Sequence, residues 1–310
     1  MPLRVALLWV VAFASSAFIA HGQNPPPAPS IDIRVDTTLV VIPVTVTDTS
    51  NRFVLGLEKS DFTLLEDGVQ QKISQFAGEN APISLGLLVD LSGSMGAKIR
   101  ISREAVKQIL KTLDRQDETC LIEFSDRVDV VANFSDESGT IEDKLENAEP
   151  GGLTALLDAV SVGLGEMKKA KNARKALVII SDGGDNNSKF SAEAVKDLVR
   201  QADVQVYSLG VFERGLGLGL SMAEVSGPKL LTSLSEQTGG RVFAATHFSD
   251  LPTIAGRIGV ELRNQYVVAY APTNHKKDGK YRKVEVKVKP PAGLPDLKAR
   301  WRAGYYAPSQ

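Results

Sequence analysis

The chain has 310 residues, with 36 Lys and Arg against 37 Asp and Glu, for a formal net charge of -1. That balance gives no electrostatic footprint for nucleic acid and no pull toward an anionic membrane surface. Its single cysteine, Cys120, excludes a disulfide within the chain, so stability must come from a buried core.

Arg4 is the only charge before Asp32, and residues 5–20 are almost unbroken apolar sequence. Small residues follow at Ala17, Ala20 and Gly22. A positive start, a short apolar run and a small-residue exit predict a secretory signal peptide over residues 1–22, with cleavage after Ala20 or Gly22. An uncleaved N-terminal anchor is the alternative, although the run is shorter than the roughly 20 residues that span a bilayer. Residues 23–30 form a proline-rich linker, and no cysteine near the exit offers a lipid attachment point. An exported chain without disulfides suits a bacterial envelope or secreted location. No membrane span is expected in the mature chain.

Residues 31–81 read as a β segment. Val40, Ile42, Val44 and Val46 alternate with Val41, Pro43, Thr45 and Thr47, the period of a half-buried strand. Asp67-Gly68 signals a hairpin turn inside the stretch 61–69. From residue 82 the rhythm changes. Residues 83–90 are a continuous apolar run, as in strands covered on both faces. Val106, Ile109, Leu110 and Leu113 then mark a helix, residues 119–124 and 128–134 a hairpin, and Leu156, Leu157, Val160, Leu164 and Met167 a second helix. Residues 175–182 form another buried strand, followed by a helix through Val195, Leu198 and Val199 and a third buried strand over 204–211. Residues 212–228 read as a rim loop, 234–238 as a short helix, 239–243 as an edge strand, and Leu251, Ile254, Ile258 and Leu262 as a last helix. Residues 264–310 return to strands: 283–289 alternates strictly, Leu297, Ala299, Trp301 and Ala303 alternate with polar neighbours, and Asp278-Gly279 makes a turn.

This order predicts an α/β fold, a doubly wound and mostly parallel sheet over 82–263, inserted between all-β flanks. Each flank is small for an independent domain. The expectation is that 31–81 and 264–310 meet as one small β-sandwich; two separate mini-sheets are the competing arrangement.

In such a sheet, ligands bind at the carboxyl ends of the strands. Three oxygen-rich segments fall there. Asp90, Ser92 and Ser94 alternate after the first buried strand, Thr154 opens a helix, and Asp182 ends the second buried strand ahead of Gly183. Hydroxyls and carboxylates without His or Cys suit a hard divalent cation. Taken singly, each segment is ordinary turn or cap chemistry; their conjunction at strand ends is what points to metal. Asp185 is either a group behind the metal ligands or a turn residue, and Cys120 a buried structural thiol.

The pattern Asp90-x-Ser92-x-Ser94, then Thr154, then Asp182-Gly183 resembles the metal-ion-dependent adhesion site of von Willebrand factor A and integrin inserted domains. Residues 82–263 resemble that family in element order and motif spacing. The resemblance implies Mg²⁺, with Mn²⁺ or Ca²⁺ as substitutes, coordinated by Ser92, Ser94 and Thr154, with Asp90 and Asp182 close or acting through water. It implies a protein partner that places a carboxylate on the open position. The flanks resemble bacterial proteins carrying a related domain between β segments, through Asp61-Phe62 and Gly304-Tyr305-Tyr306.

A hydrolase is the rival reading. A serine nucleophile needs a base, and only His21, His247 and His275 exist. No Gly-x-Ser-x-Gly elbow surrounds Ser92 or Ser94, and a metal-assisted phosphatase lacks a recognisable lysine or second acid. The glycines at 215, 217 and 219 open no dinucleotide-binding helix, so no nucleotide cofactor is expected. A structural envelope protein with a vestigial metal site is the third possibility. The sequence therefore favours a binding module over an enzyme.

Overall fold

Alternation sets the first strand, β1 (Val40–Thr47), and the Asp67-Gly68 turn joins β2 (Phe62–Glu66) to β3 (Val69–Gln71). Asp67 and Gly68 both have positive φ, 48° and 83°, as a tight hairpin turn demands. In the computed structural model the described residues are 39–309, apart from 79, 136–137, 213–221, 246 and 292–295. The expected signal peptide and linker, and most of the expected rim loop, lie outside them.

After β4 (Ile73–Ala77) the chain enters β5 (Ile83–Asp90), which is buried at every position. There follow α1 (Ile99–Leu110), the antiparallel pair β6 (Glu118–Phe124) and β7 (Val128–Ala132), α2 (Ser138–Glu146) and α3 (Leu156–Glu166). Next come β8 (Arg174–Ser181), α4 (Ala192–Gln201), β9 (Gln205–Gly210), α5 (Met222–Glu236), β10 (Val242–Ala244) and α6 (Leu251–Arg263). The six strands align in the order β10-β9-β8-β5-β6-β7, parallel throughout except for β7. Successive side chains of β5 go to opposite faces. Leu85, Leu87 and Val89 pack with Val106 and Ile109 of α1, Ile141 of α2 and Ile258 of α6. Leu88 packs instead with Val160 of α3, Val195 of α4 and Leu234 of α5. The sheet is therefore doubly wound, as expected.

Two expectations need correction. The rim loop was expected to reach residue 228, yet α5 starts at Met222 and holds Pro228 in its interior. Burial of Leu231 and Leu234 against the sheet overrides the cost of a helical proline. The alternating stretch at 297–303 is also not one strand. Within it only β13 (Lys298–Arg300) is strand, and the next strand, β14 (Gly304–Tyr306), begins after it and belongs to a different sheet.

The flanks pair with each other. β1 runs antiparallel to β11 (Gln265–Tyr270) over six positions, and β2 to β12 (Tyr281–Val288) over five. Two four-stranded sheets result, β13-β1-β11-β4 and β14-β12-β2-β3, each mixing strands from both ends of the chain. Between them lies one core of Ile42, Val44, Leu64, Tyr266, Val268 and Val286. Residues 38–310 form one compact unit, so the sandwich is not set apart from the central sheet. Glu261 of α6 receives guanidinium groups from Arg241 and from Arg300 of β13, and Arg302 pairs with Asp203.

Inside this core Glu66 of β2 is 2% exposed and accepts hydrogen bonds from the hydroxyls of Tyr270 (2.7 Å) and Tyr305 (2.8 Å). Burial first, and then the carboxylate itself, hold both phenols protonated well above their usual range. Glu66→Ala removes the acceptor that two buried hydroxyls share and leaves them only each other, and is expected to cost about 3 kcal/mol. Urea unfolding measures it; a loss below about 1 kcal/mol would show that water replaces the carboxylate.

Candidate functional site

Asp90 is the last residue of β5 and Ser181 the last of β8, neighbouring parallel strands whose carboxyl ends open on the same rim. Asp90 is fully buried. Its Oδ1 accepts the Ser92 N–H at 2.9 Å and its Oδ2 accepts the Ser181 hydroxyl at 2.5 Å. Burial pushes its carboxyl up to about 6, against the opposing pull of those hydrogen bonds. The neighbouring Asp182 carboxylate adds to the rise.

The Asp90–Ser92 bond turns the loop so that the hydroxyls of Ser92 and Ser94 stand 3.2 Å apart. Backbone bonds then lace this loop to the one bearing Thr154. Gly93 N–H donates to Gly152 O at 3.1 Å, and Gly151 N–H to Leu91 O at 2.7 Å. The Thr154 loop is tied in turn to the segment after Asp182. Thr154 N–H donates to Asn186 Oδ1 at 2.8 Å, and the Asn186 N–H returns a bond to Thr154 O at 3.0 Å. The three segments expected to converge are thus joined loop to loop.

Asp182 is 5% exposed, and its Oδ1 accepts the Gly184 N–H at 3.2 Å. Gly183 has φ of 80°, and a Cβ there would lie 2.6 Å from Gly227 O; a Cβ on Gly227 would lie 2.5 Å from Asp182 O. Two glycines therefore let α5 approach the Asp182 turn backbone to backbone.

Asp185 has a structural job. Its Oδ1 accepts the Leu157 N–H at 3.2 Å and the Ser188 hydroxyl at 2.5 Å, while Ser188 Oγ accepts from Leu157 and Asp158. These bonds meet the free N–H groups at the start of α3, so that helix does not need Thr154 as its cap. Sequence reasoning missed four contributors. Ser181, Asn186 and Gly227 support the loops, and Lys98 places its ammonium 3.3 Å from Asp182 Oδ2. Ser181 was visible as the residue before Asp182; the others carry no signal apart from the fold. Cys120 is buried in β6, and burial pushes its thiol up to about 12, in keeping with a structural thiol.

The donor set fits a hard divalent cation. Adjacent ligands of an octahedron with 2.1 Å bonds are about 3.0 Å apart, close to the separation of the two serine hydroxyls. Asp90 has both oxygens engaged, which suits a carboxylate acting on an ion through water.

Residues 85–184 match the family model of the von Willebrand factor type A domain. The matched stretch runs from β5 to the turn after β8, so this part of the central sheet is similar to a von Willebrand factor type A domain. An uncharacterised protein of Borreliella burgdorferi is 22% identical to the chain over 186 residues, 53% of this chain and 54% of that one. The inter-alpha-trypsin inhibitor heavy chain H2 of Mus musculus is 24% identical over 155 residues, 44% of this chain and 16% of that one. The chain thus spans about half of one relative and a small part of the other. Among solved structures, the von Willebrand factor type A protein of Catenulispora acidiphila aligns with 88% of this chain and 74% of its own, at 12% identity and a TM-score of 0.49. No helix among the described residues is long and apolar enough to cross a membrane.

Proposed function

We propose that the A domain is a divalent-cation-dependent protein-binding module of an exported protein. Ser92 and Ser94, with Thr154, would hold Mg²⁺ directly, and Asp90 and Asp182 would balance its charge from close by or through water. The observation that carries this reading is the pair of serine hydroxyls 3.2 Å apart beside two buried aspartates. Two carboxylates no more than neutralise a divalent ion, and hydroxyls donate weakly, so the ion keeps its appetite for an anionic oxygen. A partner's aspartate or glutamate side chain supplies one. Mn²⁺ and Ca²⁺ satisfy the same donor chemistry. Export rests on the charge and apolar pattern of residues 4–22.

Binding is favoured over catalysis by what surrounds the serines. Asp90 accepts hydrogen bonds and serves Ser181 and the loop backbone, while His275 lies in the β11–β12 connection of the flank.

Calorimetric titration of the full chain with Mg²⁺ tests the reading. One saturable site is expected, together with retention of Asp- and Glu-bearing peptides that chelator abolishes. Peptide retention unchanged in chelator would overturn the adhesion mechanism.

A further inference from the structure

Lys98 stands immediately before α1, held by the same turn that carries the two serines. Its N–H donates to Met95 O at 2.8 Å, and its own carbonyl accepts the N–H groups of Ile101 (3.1 Å) and Ser102 (3.0 Å). The side chain is 9% exposed. Its ammonium lies 3.3 Å from Asp182 Oδ2 and 5.6 Å from the centre of the Phe248 ring. Lysines are almost never buried without a partner, and this one is sandwiched between a carboxylate and an aromatic face. It points at the carboxylate that the metal-site reading needs.

We propose that Lys98 is a built-in counter-charge that competes with the divalent cation for Asp182. The inference rests on the metal-site reading of the previous section. Asp90 and Asp182 supply two negative charges and Lys98 one positive, so the protein offers the ion a net charge of only -1 where the motif alone would offer -2. A divalent ion must approach a buried ammonium across a few ångströms of poorly screened space. Two consequences follow. The ion is held loosely enough to exchange. Once bound, ion and ammonium together leave the site at +1, which draws an anionic partner without any further basic residue. Lys98 also spares the buried Asp182 from standing unpaired when no ion is bound.

The test compares the full chain with Lys98→Met and Lys98→Gln, by Mn²⁺ calorimetry and by thermal unfolding in chelator and in saturating Mg²⁺. Both variants are expected to bind Mn²⁺ on the order of tenfold tighter. They should melt below the wild type in chelator, because Asp182 has lost its partner, and at or above it in Mg²⁺. Lys98→Gln keeps a hydrogen-bond donor for Asp182 and supplies the reading should Lys98→Met fail to fold. Wild type that binds Mn²⁺ while both variants bind no tighter would overturn the competition and leave the metal site standing. Absence of Mn²⁺ binding by all three proteins would remove the metal site, and the competition with it.

Discussion

Asp90→Ala is expected to abolish saturable Mg²⁺ binding while the sheet stays folded. The carboxylate does two things at once. It supplies one of the two charges that oppose the ion, and through Ser92 N–H and Ser181 Oγ it fixes the curvature of the loop that brings the serines together. Asp90→Asn separates these roles, because the amide keeps one acceptor for Ser92 and removes the charge. The same variant carries a stability signature in chelator. Folding raises the Asp90 carboxyl from 3.8 to about 6, chiefly by burial. A raised carboxyl binds its proton more tightly in the folded state, so the stability it confers is full below pH 3.8 and is lost as pH rises through 6. With two pH units between the values, the loss is about 3 kcal/mol. In chelator, wild type should therefore weaken between pH 4 and 7 while Asp90→Asn does not, and the variant should be the more stable at pH 8. Saturating Mg²⁺ should reverse the order for wild type alone. Superimposable pH profiles for the two proteins would show that Asp90 is not held against its charge, and Mg²⁺ heats retained by Asp90→Ala would remove it from the site.

Much of the central sheet could be read from residue order because its signals are local. β5 and β8 carry the continuous apolar runs 85–89 and 176–180, and only a strand covered on both faces tolerates that. The Asp90-x-Ser92-x-Ser94 spacing survives into the structure because one Asp90–Ser92 hydrogen bond sets it, within two residues. What stayed hidden depends on distant chain segments. Lys98 reads as the charged start of an amphipathic helix, and nothing near it in sequence reveals an aspartate 84 residues away. Pro228 reads as a helix breaker, and only packing of Leu231 and Leu234 on the sheet explains why α5 continues through it. The alternation from Leu297 to Ala303 is real, but period two does not say which sheet a strand joins. The chain switches sheets at Trp301–Ala303, where the Trp301 Nε1–H donates to Val284 O at 3.0 Å.

Deletion of residues 264–310 should unfold the N-terminal flank as well, because the two flanks share one set of strands. Among the described residues the partner strands of β1 are β11 and β13 and that of β4 is β11, so both lose every partner strand and β1 keeps a single bridge, from Thr47 to Phe53. β2 keeps β3 alone, and an isolated two-stranded hairpin is marginal in water. The deletion also removes Tyr266, Val268, Tyr270, Val284, Val286 and Tyr305 from the shared core, leaving Ile42, Val44 and Leu64 only the residues of their own flank, such as Leu57, Phe62 and Ile73. Residues 39–77 should become protease-sensitive in the truncated protein while 83–262 remain protected by their own two helical layers. Tyr266→Ala probes the same interface without truncation. Its ring lies 5.2 Å from that of Phe62, and its hydroxyl donates to Val54 O at 2.9 Å and accepts the Leu57 N–H at 3.0 Å. Removing a buried aromatic of this kind costs about 3–5 kcal/mol, read as a lower urea midpoint. Equal protection of 39–77 in full-length and truncated chains would mean that the N-terminal strands hold together without their C-terminal partners, and the shared core would not be what stabilises them.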